Sequence, residues 1–163
     1  NAIPDVIYSI ESYDTTTVRA SVGNYLVGNY IKQNTDITVV FNGDGSDEQS
    51  GYYYLRNAPN EDDFHDECMK LLREIHFYDV LRSDRSVSSR WSLEARTPFL
   101  DKEFVKFYMT IDPKLKMYSD DRIEKYLLRK AFEDTHIIPE EVLWRPKEAF
   151  SDGCSSSQPR PGT

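Results

Sequence analysis

The apolar run Ile37-Thr38-Val39-Val40-Phe41 passes directly into Asn42-Gly43-Asp44-Gly45-Ser46-Asp47-Glu48, and this junction constrains the chain more than any other segment. The run reads as a buried strand that ends in an acidic turn punctuated by glycine. Gly43 and Gly45 let the backbone take a positive φ or approach a ligand closely. Asp44, Asp47 and Glu48 stand at the C-terminal end of that strand, where open α/β sheets bind their ligands. A solvated turn needs one acid and one glycine, so this concentration suits a divalent metal with phosphates, or a site where protons move.

Spacing removes two familiar alternatives. A calcium loop started at Asn42 would need Gly at its sixth position and Glu at its twelfth, which hold Asp47 and Tyr53. A P-loop would need Lys followed by Ser or Thr after the glycines, where Asp47-Glu48 stands. The residues alone leave a third alternative open: Asp44 or Ser46 capping a helix that runs through Tyr52-Tyr53-Tyr54-Leu55.

At 163 residues the chain fits one domain with a real core. Eleven Tyr and eight Phe argue for a folded protein. A net charge of -8 without a basic stripe argues against nucleic-acid binding. No apolar run has membrane-spanning length and no signal peptide is visible, so the expected location is cytoplasmic. Cys68 and Cys154 lie far apart without ligand spacing and read as reduced thiols. The chain starts with Asn1 rather than Met, which suggests a fragment.

One strand and many helices are expected. Tyr13-Asp14-Thr15-Thr16-Thr17 is rich in capping residues and starts a helix that ends near Asn34, with Val18, Val22, Tyr25, Leu26 and Asn29-Tyr30 at helical spacing. Pro59 to Asp63 opens another helix, with Phe64, Cys68, Leu71, Leu72 and Ile75 on one face. Asp101 to Met109 and Asp120 to Phe132 read as two more, joined through Asp112-Pro113. A parallel strand buried on both faces needs neighbours, and Val6-Ile7-Tyr8 is the weak second candidate. The rest of the sheet is expected outside this chain. Residues 154–163 are rich in Ser, Pro and Gly and are expected to be a disordered tail.

A second candidate site is Trp144-Arg145-Pro146-Lys147-Glu148-Ala149-Phe150-Ser151-Asp152-Gly153. Pro146 stiffens the loop and keeps Arg145 and Lys147 presented. Arg suits planar anions, and Lys supplies a mobile point charge for phosphate. An isolated stretch of this kind is usually a solvated loop; beside an acidic turn it fits phosphoryl or nucleotidyl chemistry.

Three ordered stretches, Phe41 to Glu48, Leu93-Glu-Ala-Arg-Thr-Pro-Phe-Leu-Asp101 and Trp144 to Gly153, resemble the synthetase domain of glutamine-hydrolysing asparagine synthetases. Tyr13-Asp-Thr-Thr-Thr-Val-Arg-Ala-Ser21 and Ile123-Glu-Lys-Tyr-Leu-Leu-Arg129 fit the same family in the same order, and the likeness runs from about Ile3 to Gly153. It implies an α/β fold, an adenine-nucleotide α-hydrolase-like (ATP pyrophosphatase) domain, whose part present here is mainly helical around one or two parallel strands. It also implies that 1–153 is the C-terminal part of the synthetase domain.

The resemblance implies a two-step amide ligase with ATP and Mg²⁺ as cofactors. Aspartate attacks the α-phosphate of ATP to give β-aspartyl-AMP, and ammonia released from glutamine then gives asparagine. Carried over by position, Asn42 and Gly43 contact ATP, Asp44 takes a proton from ammonia, and Asp47 holds Mg²⁺. Lys147 neutralises charge on the phosphates, with Arg145 as a second cation. Thr16, Thr17 and Arg19 match positions linked to aspartate, although both threonines also suit helix capping. Glu94, Arg96 and Asp101 are expected to hold a loop through buried ion pairs, and Tyr52 to Tyr54 to pack in the core. His65, His76 and His136 have no partners at ligand spacing.

Departures from the family pattern are as informative. Asn42 replaces the usual Ser, and the stretch from Asp84 to Leu93 is one residue longer than usual. No match to the family's Ser-Gly-Gly-x-Asp-Ser pyrophosphate loop or to its N-terminal glutaminase domain occurs in these residues, so the chain alone is expected to be inactive. A homodimer stays open, as do two alternatives: a β-lactam-forming synthetase of the same superfamily, and a catalytically dead remnant that binds nucleotide weakly or meets a partner.

Overall fold

A computed structural model describes residues 1–78, 82–119 and 121–150. The expected tail and Cys154 lie outside the described residues. The chain divides into two compact units, one gathering Asn1–Phe41, Tyr78–Arg96 and the stretch from Glu148, the other Asn42–Phe77 and Thr97–Lys147.

In the first unit, α1 (Ile3–Ile10) precedes the long α2 (Thr15–Asn34). Val6-Ile7-Tyr8 is therefore helix, not strand. Pro4 suits a first helical turn, and Val6 and Ile10, four apart, share the face that meets Tyr25 of α2. Asp14 caps α2 by accepting from the Thr17 backbone N–H at 2.7 Å. Along α2 the periodic residues divide: Val18, Val22 and Tyr25 join the core, whereas Leu26 and Tyr30 are exposed. Gly28 makes room for Trp91, since a Cβ there would stand 2.7 Å from its ring. Trp91 packs edge-on against Tyr25 with ring centroids 5.0 Å apart.

Among the described residues the sheet in this unit has two strands, β1 (Val39–Phe41) and β2 (Glu94–Arg96), paired in parallel with Val40 opposite Ala95. The neighbour that β1 requires thus comes from Glu94-Ala95-Arg96, a three-residue stretch with a single apolar side chain. Glu94 and Arg96 point the same way, two residues apart on one strand. Their ion pair at 2.6 Å is exposed, not buried as expected. Nor is β1 buried on both faces: Phe41 is 77% exposed. A π-helical turn, Asp84–Ser89, leads into β2.

The second unit is helical. It contains α3 (Ser46–Ser50), a 3₁₀ turn (Tyr53–Asn57), α4 (Glu61–Glu74), a 3₁₀ turn (Pro98–Leu100), α5 (Lys102–Thr110), α6 (Pro113–Lys116), α7 (Tyr126–Phe132) and α8 (Glu140–Leu143). Asn60 caps α4 through the Asp63 backbone N–H, and Asp101 caps α5 through those of Glu103 and Phe104. Asp101 thus shapes a helix start instead of a buried ion pair. The core is Leu55, Phe64 and Cys68, with Leu71, Met109, Met117 and Tyr118 packed against it. Burial pushes the Cys68 thiol up to about 11.

Two expectations fail here for identifiable reasons. Gly51, at φ 91°, ends α3, so no helix runs on through the tyrosines; Tyr53 and Tyr54 are exposed and Leu55 alone is buried. The helix expected from Asp120 begins only at Tyr126. An isolated bridge pairs Ser119 with Arg122, and Lys125 adopts a left-handed φ of 58°, which helical propagation forbids.

Lys116 is 3% exposed. Its ammonium donates to the Tyr108 carbonyl at 3.3 Å and lies over the Tyr108 ring. Desolvation holds its pKa below the ordinary lysine value, which means that the charged form destabilises the fold. Lys116→Met is therefore expected to stabilise the chain by about 1 kcal/mol at neutral pH. Because the folded pKa is lowered, the wild-type penalty is full below it and fades as pH rises toward the unfolded value of 10.5. Thermal melts at pH 7 and pH 10 check both the sign and the narrowing of the difference.

Candidate functional site

The acidic turn begins with a reciprocal pair. The Asn42 side-chain amide donates to the Asp44 carboxylate at 2.9 Å, and the Asp44 backbone N–H donates to Asn42 Oδ1 at 2.9 Å. This local Asx turn fixes both side chains and leaves Gly43 exposed between them. Gly43 has no positive φ, and a Cβ there would meet nothing within 4 Å. Gly45 is different. Its φ is 92°, and a Cβ would stand 2.4 Å from Leu100. Only glycine fits, for conformation and for space.

Gly45 is also the N-cap of α3, without a side-chain cap. The capping reading of Asp44 or Ser46 is therefore not realised. Gln49 of α3 donates its amide to the Gly45 and Phe99 carbonyls, tying the helix to the segment before α5. Glu48 is buried, whereas Asp47 beside it is half-buried. Among the described residues no group of three or more His, Cys, Asp or Glu side chains has metal-holding geometry.

Asp47 meets cations instead. Lys147 Nζ lies 2.8 Å from its Oδ2, and Lys125 Nζ lies 2.9 Å from its Oδ1. The Asp47 and Lys125 side chains are 16% and 17% exposed, and Lys147 is 39% exposed. Burial by itself raises the Asp47 pKa, but attraction to Lys125 and hydrogen bonds from Lys147 and Lys125 outweigh it and hold the carboxyl below the usual range. Each oxygen of this carboxylate thus carries one ammonium, of the roughly four lone-pair sites that a carboxylate offers.

The remaining expected residues are placed as follows. Arg145 is exposed in the loop after α8, in the same unit as Asp47 and Lys147. Thr16, Thr17 and Arg19 lie in the first turns of α2, in the other unit. Thr17 gives its backbone N–H and its hydroxyl to Asp14, so it takes part in the cap, whereas Thr16 and Arg19 are exposed. Lys125 is the residue that sequence reasoning did not single out. Its signal was indirect: it stands inside the stretch Ile123 to Arg129 that resembles the family.

The chain is thus mostly helical with a parallel strand pair, and two lysines gather on one carboxylate at a glycine-punctuated turn. Comparison with known proteins identifies the family. The family described as "Asparagine synthase" matches residues 1–60 and 52–162. The chain is 51% identical over 156 residues to a human protein named asparagine synthetase [glutamine-hydrolyzing], covering 95% of this chain and 28% of that protein. The bovine protein of that name is 50% identical, covering 94% and 27%, and the chicken one 49%, covering 95% and 28%. The chain belongs to the asparagine synthase family. It spans a little over a quarter of the length of these relatives.

Asp47→Asn removes the charge that reconciles two ammonium groups and is expected to cost roughly 1–3 kcal/mol, between the values for exposed and buried pairs. The folded carboxyl is depressed below its ordinary 3.8, so its contribution is complete above that value and is lost as pH falls through the lower folded pKa. Urea melts between pH 3 and pH 7 are expected to show that acid loss in the parent chain and a smaller one in the variant.

Proposed function

We propose that this chain supplies phosphate- and intermediate-handling residues to an ATP-dependent amide ligase that converts aspartate to asparagine with ammonia from glutamine. The observation that carries the reading is the Asp47 carboxylate gathering lysine ammonium groups at 2.8–2.9 Å. Its support outside the site is the naming of the relatives as glutamine-hydrolysing asparagine synthetases. The activity is proposed for the complete polypeptide. The segment 1–153 then acts as the C-terminal part of its synthetase domain, of the ATP pyrophosphatase kind, working in the cytoplasm.

In this reading an oxygen of the aspartate β-carboxylate attacks the α-phosphorus of ATP, and the bond to pyrophosphate breaks. Lys147 offsets charge that builds on the departing phosphates, a role for which a mobile ammonium is suited. Ammonia next attacks the activated β-carbonyl carbon and AMP leaves. The proton lost by nitrogen passes to Asp44, whose carboxylate the Asn42 amide orients. Asn42 and Gly43 contact the nucleotide, Arg145 lends a second cation, and Thr16, Thr17 and Arg19 serve aspartate. Asp47, with one ammonium on each oxygen, would hold the magnesium that accompanies ATP through its remaining lone pairs.

A second reading, a remnant that binds without catalysing, draws on one observation: Ile37, Val39 and Phe41 of the strand segment are exposed. The test separates the two. Lys147→Ala in the complete polypeptide is expected to lower aspartate-dependent pyrophosphate release about 100-fold or more, the scale of losing one stabilising group at a developing charge. Unchanged release would remove Lys147 from the mechanism, and no aspartate-dependent release in the parent protein would favour the remnant.

A further inference from the structure

A cavity of about 870 Å³ lies wholly within the first unit, between α1 and the segment that leads into β2. None of its lining residues has a part in the ligase reading. We propose that it is a binding site for a small aromatic carboxylate, with Arg90 receiving the carboxylate and Tyr8 and Tyr13 meeting the ring.

Helix α1 has two working faces. Val6 and Ile10 turn into the core, whereas Pro4, Ile7, Tyr8 and Glu11 recur at the spacing of a single helical stripe and line the cavity. Tyr13, in the loop before α2, continues that wall. Tyr8 is 85% exposed and Tyr13 is 87% exposed. One exposed tyrosine is ordinary. Two on one cavity, beside Ile7 and Pro4, form the aromatic and apolar lining that small-molecule sites use. The volume also falls in their usual range of about 300–1,000 Å³.

The facing wall carries the charge. Arg85, on the π-helical turn, forms an ion pair with Glu11. Glu11 is the left-handed C-cap of α1, at φ 54°, a position that glycine usually takes. A carboxylate there ties the end of α1 to the facing wall. Arg90 is different. Its Nε donates to the Tyr25 hydroxyl at 3.4 Å, and its guanidinium lies 4.9 Å from the centroid of the Trp91 ring. Tyr25 is buried and Trp91 packs against it, so the guanidinium is anchored at its inner edge. Its two terminal nitrogens have no hydrogen-bond partner among the described residues. They are the paired donors that hold a carboxylate in bidentate fashion.

Charge and shape together select the ligand. With Arg85 offset by Glu11, Arg90 leaves the lining one net positive charge. Asp5 also attracts Arg90, which weakens its pull on a ligand further. That balance suits a singly charged carboxylate better than a doubly charged phosphate. Because Arg90 is already anchored, little side-chain freedom is lost when an anion docks on it.

Ligand-observed NMR titration of the complete polypeptide with 2-naphthoate, neutral 2-naphthamide and 1-naphthyl phosphate tests the proposal. The proteins compared are the parent, Arg90→Gln, Tyr8→Ala and Lys147→Ala. 2-Naphthoate is expected to bind the parent with a dissociation constant of about 1 mM or tighter, the range that ligand efficiency sets for a molecule of this size. Arg90 is exposed, so Arg90→Gln is expected to keep the melting temperature. It should weaken 2-naphthoate about tenfold, one charge-assisted contact, and change 2-naphthamide less than about twofold. Tyr8→Ala is expected to weaken acid and amide alike, about threefold. Lys147→Ala is expected to leave 2-naphthoate binding as it is. No binding of 2-naphthoate to the parent would overturn the proposal, as would equal affinities for acid and amide or an unchanged affinity in Arg90→Gln. Weakening in Lys147→Ala alone would put the anion at the Asp47 cluster instead. A larger loss of 1-naphthyl phosphate than of 2-naphthoate in Arg90→Gln would overturn the choice of a carboxylate.

Discussion

The site depends on one carboxylate. Asp47 is bonded to Lys147, one hundred residues further along the chain, and to Lys125. It can do so because α3 is also held in place by contacts that do not involve the lysines. Gly45 turns left-handed over Leu100, and the Gln49 amide bonds the Gly45 and Phe99 carbonyls. Asp47 is thereby presented from a short helix that would be unstable alone. Removing that support would leave the lysines with no common partner.

Charge is handled in two contrasting ways within the same unit. At Asp47, attraction to two cations exceeds the cost of burial, and the carboxyl stays ionised. At Lys116, one carbonyl and an aromatic face do not offset burial, and the ammonium is destabilised. The first arrangement suits a group that must remain charged to position others. The second is a cost to the fold, borne beside the Phe64 and Cys68 core.

Much of the helical structure was legible because its causes are local. Asp14, Asn60 and Asp101 each accept backbone N–H groups two or three residues ahead, and such caps can be read from spacing. The strand β1 was legible from its apolar run, but its partner was not. Glu94-Ala95-Arg96 alternates polar and apolar over too few residues to stand out, and parallel pairing joins segments distant in sequence. Val6-Ile7-Tyr8 looked β-like in isolation and became helical because Val6 and Ile10 together face Tyr25. The break before α7 was hidden for a related reason: a left-handed lysine contradicts local preference and exists only where other groups enforce it.

The sequence by itself determined which chemistry was on offer: a glycine-punctuated acidic turn, a proline-stiffened cationic loop and the order of motifs that marks the family. Residue type and spacing suffice for that, since they set charge, donor count and backbone freedom. Tertiary structure decided who meets whom. It turned Asp47 toward two lysines, buried Glu48 and brought Lys125 into the cluster. Those outcomes rest on packing and on electrostatic contacts between segments far apart in the chain, and no short window of sequence contains both partners.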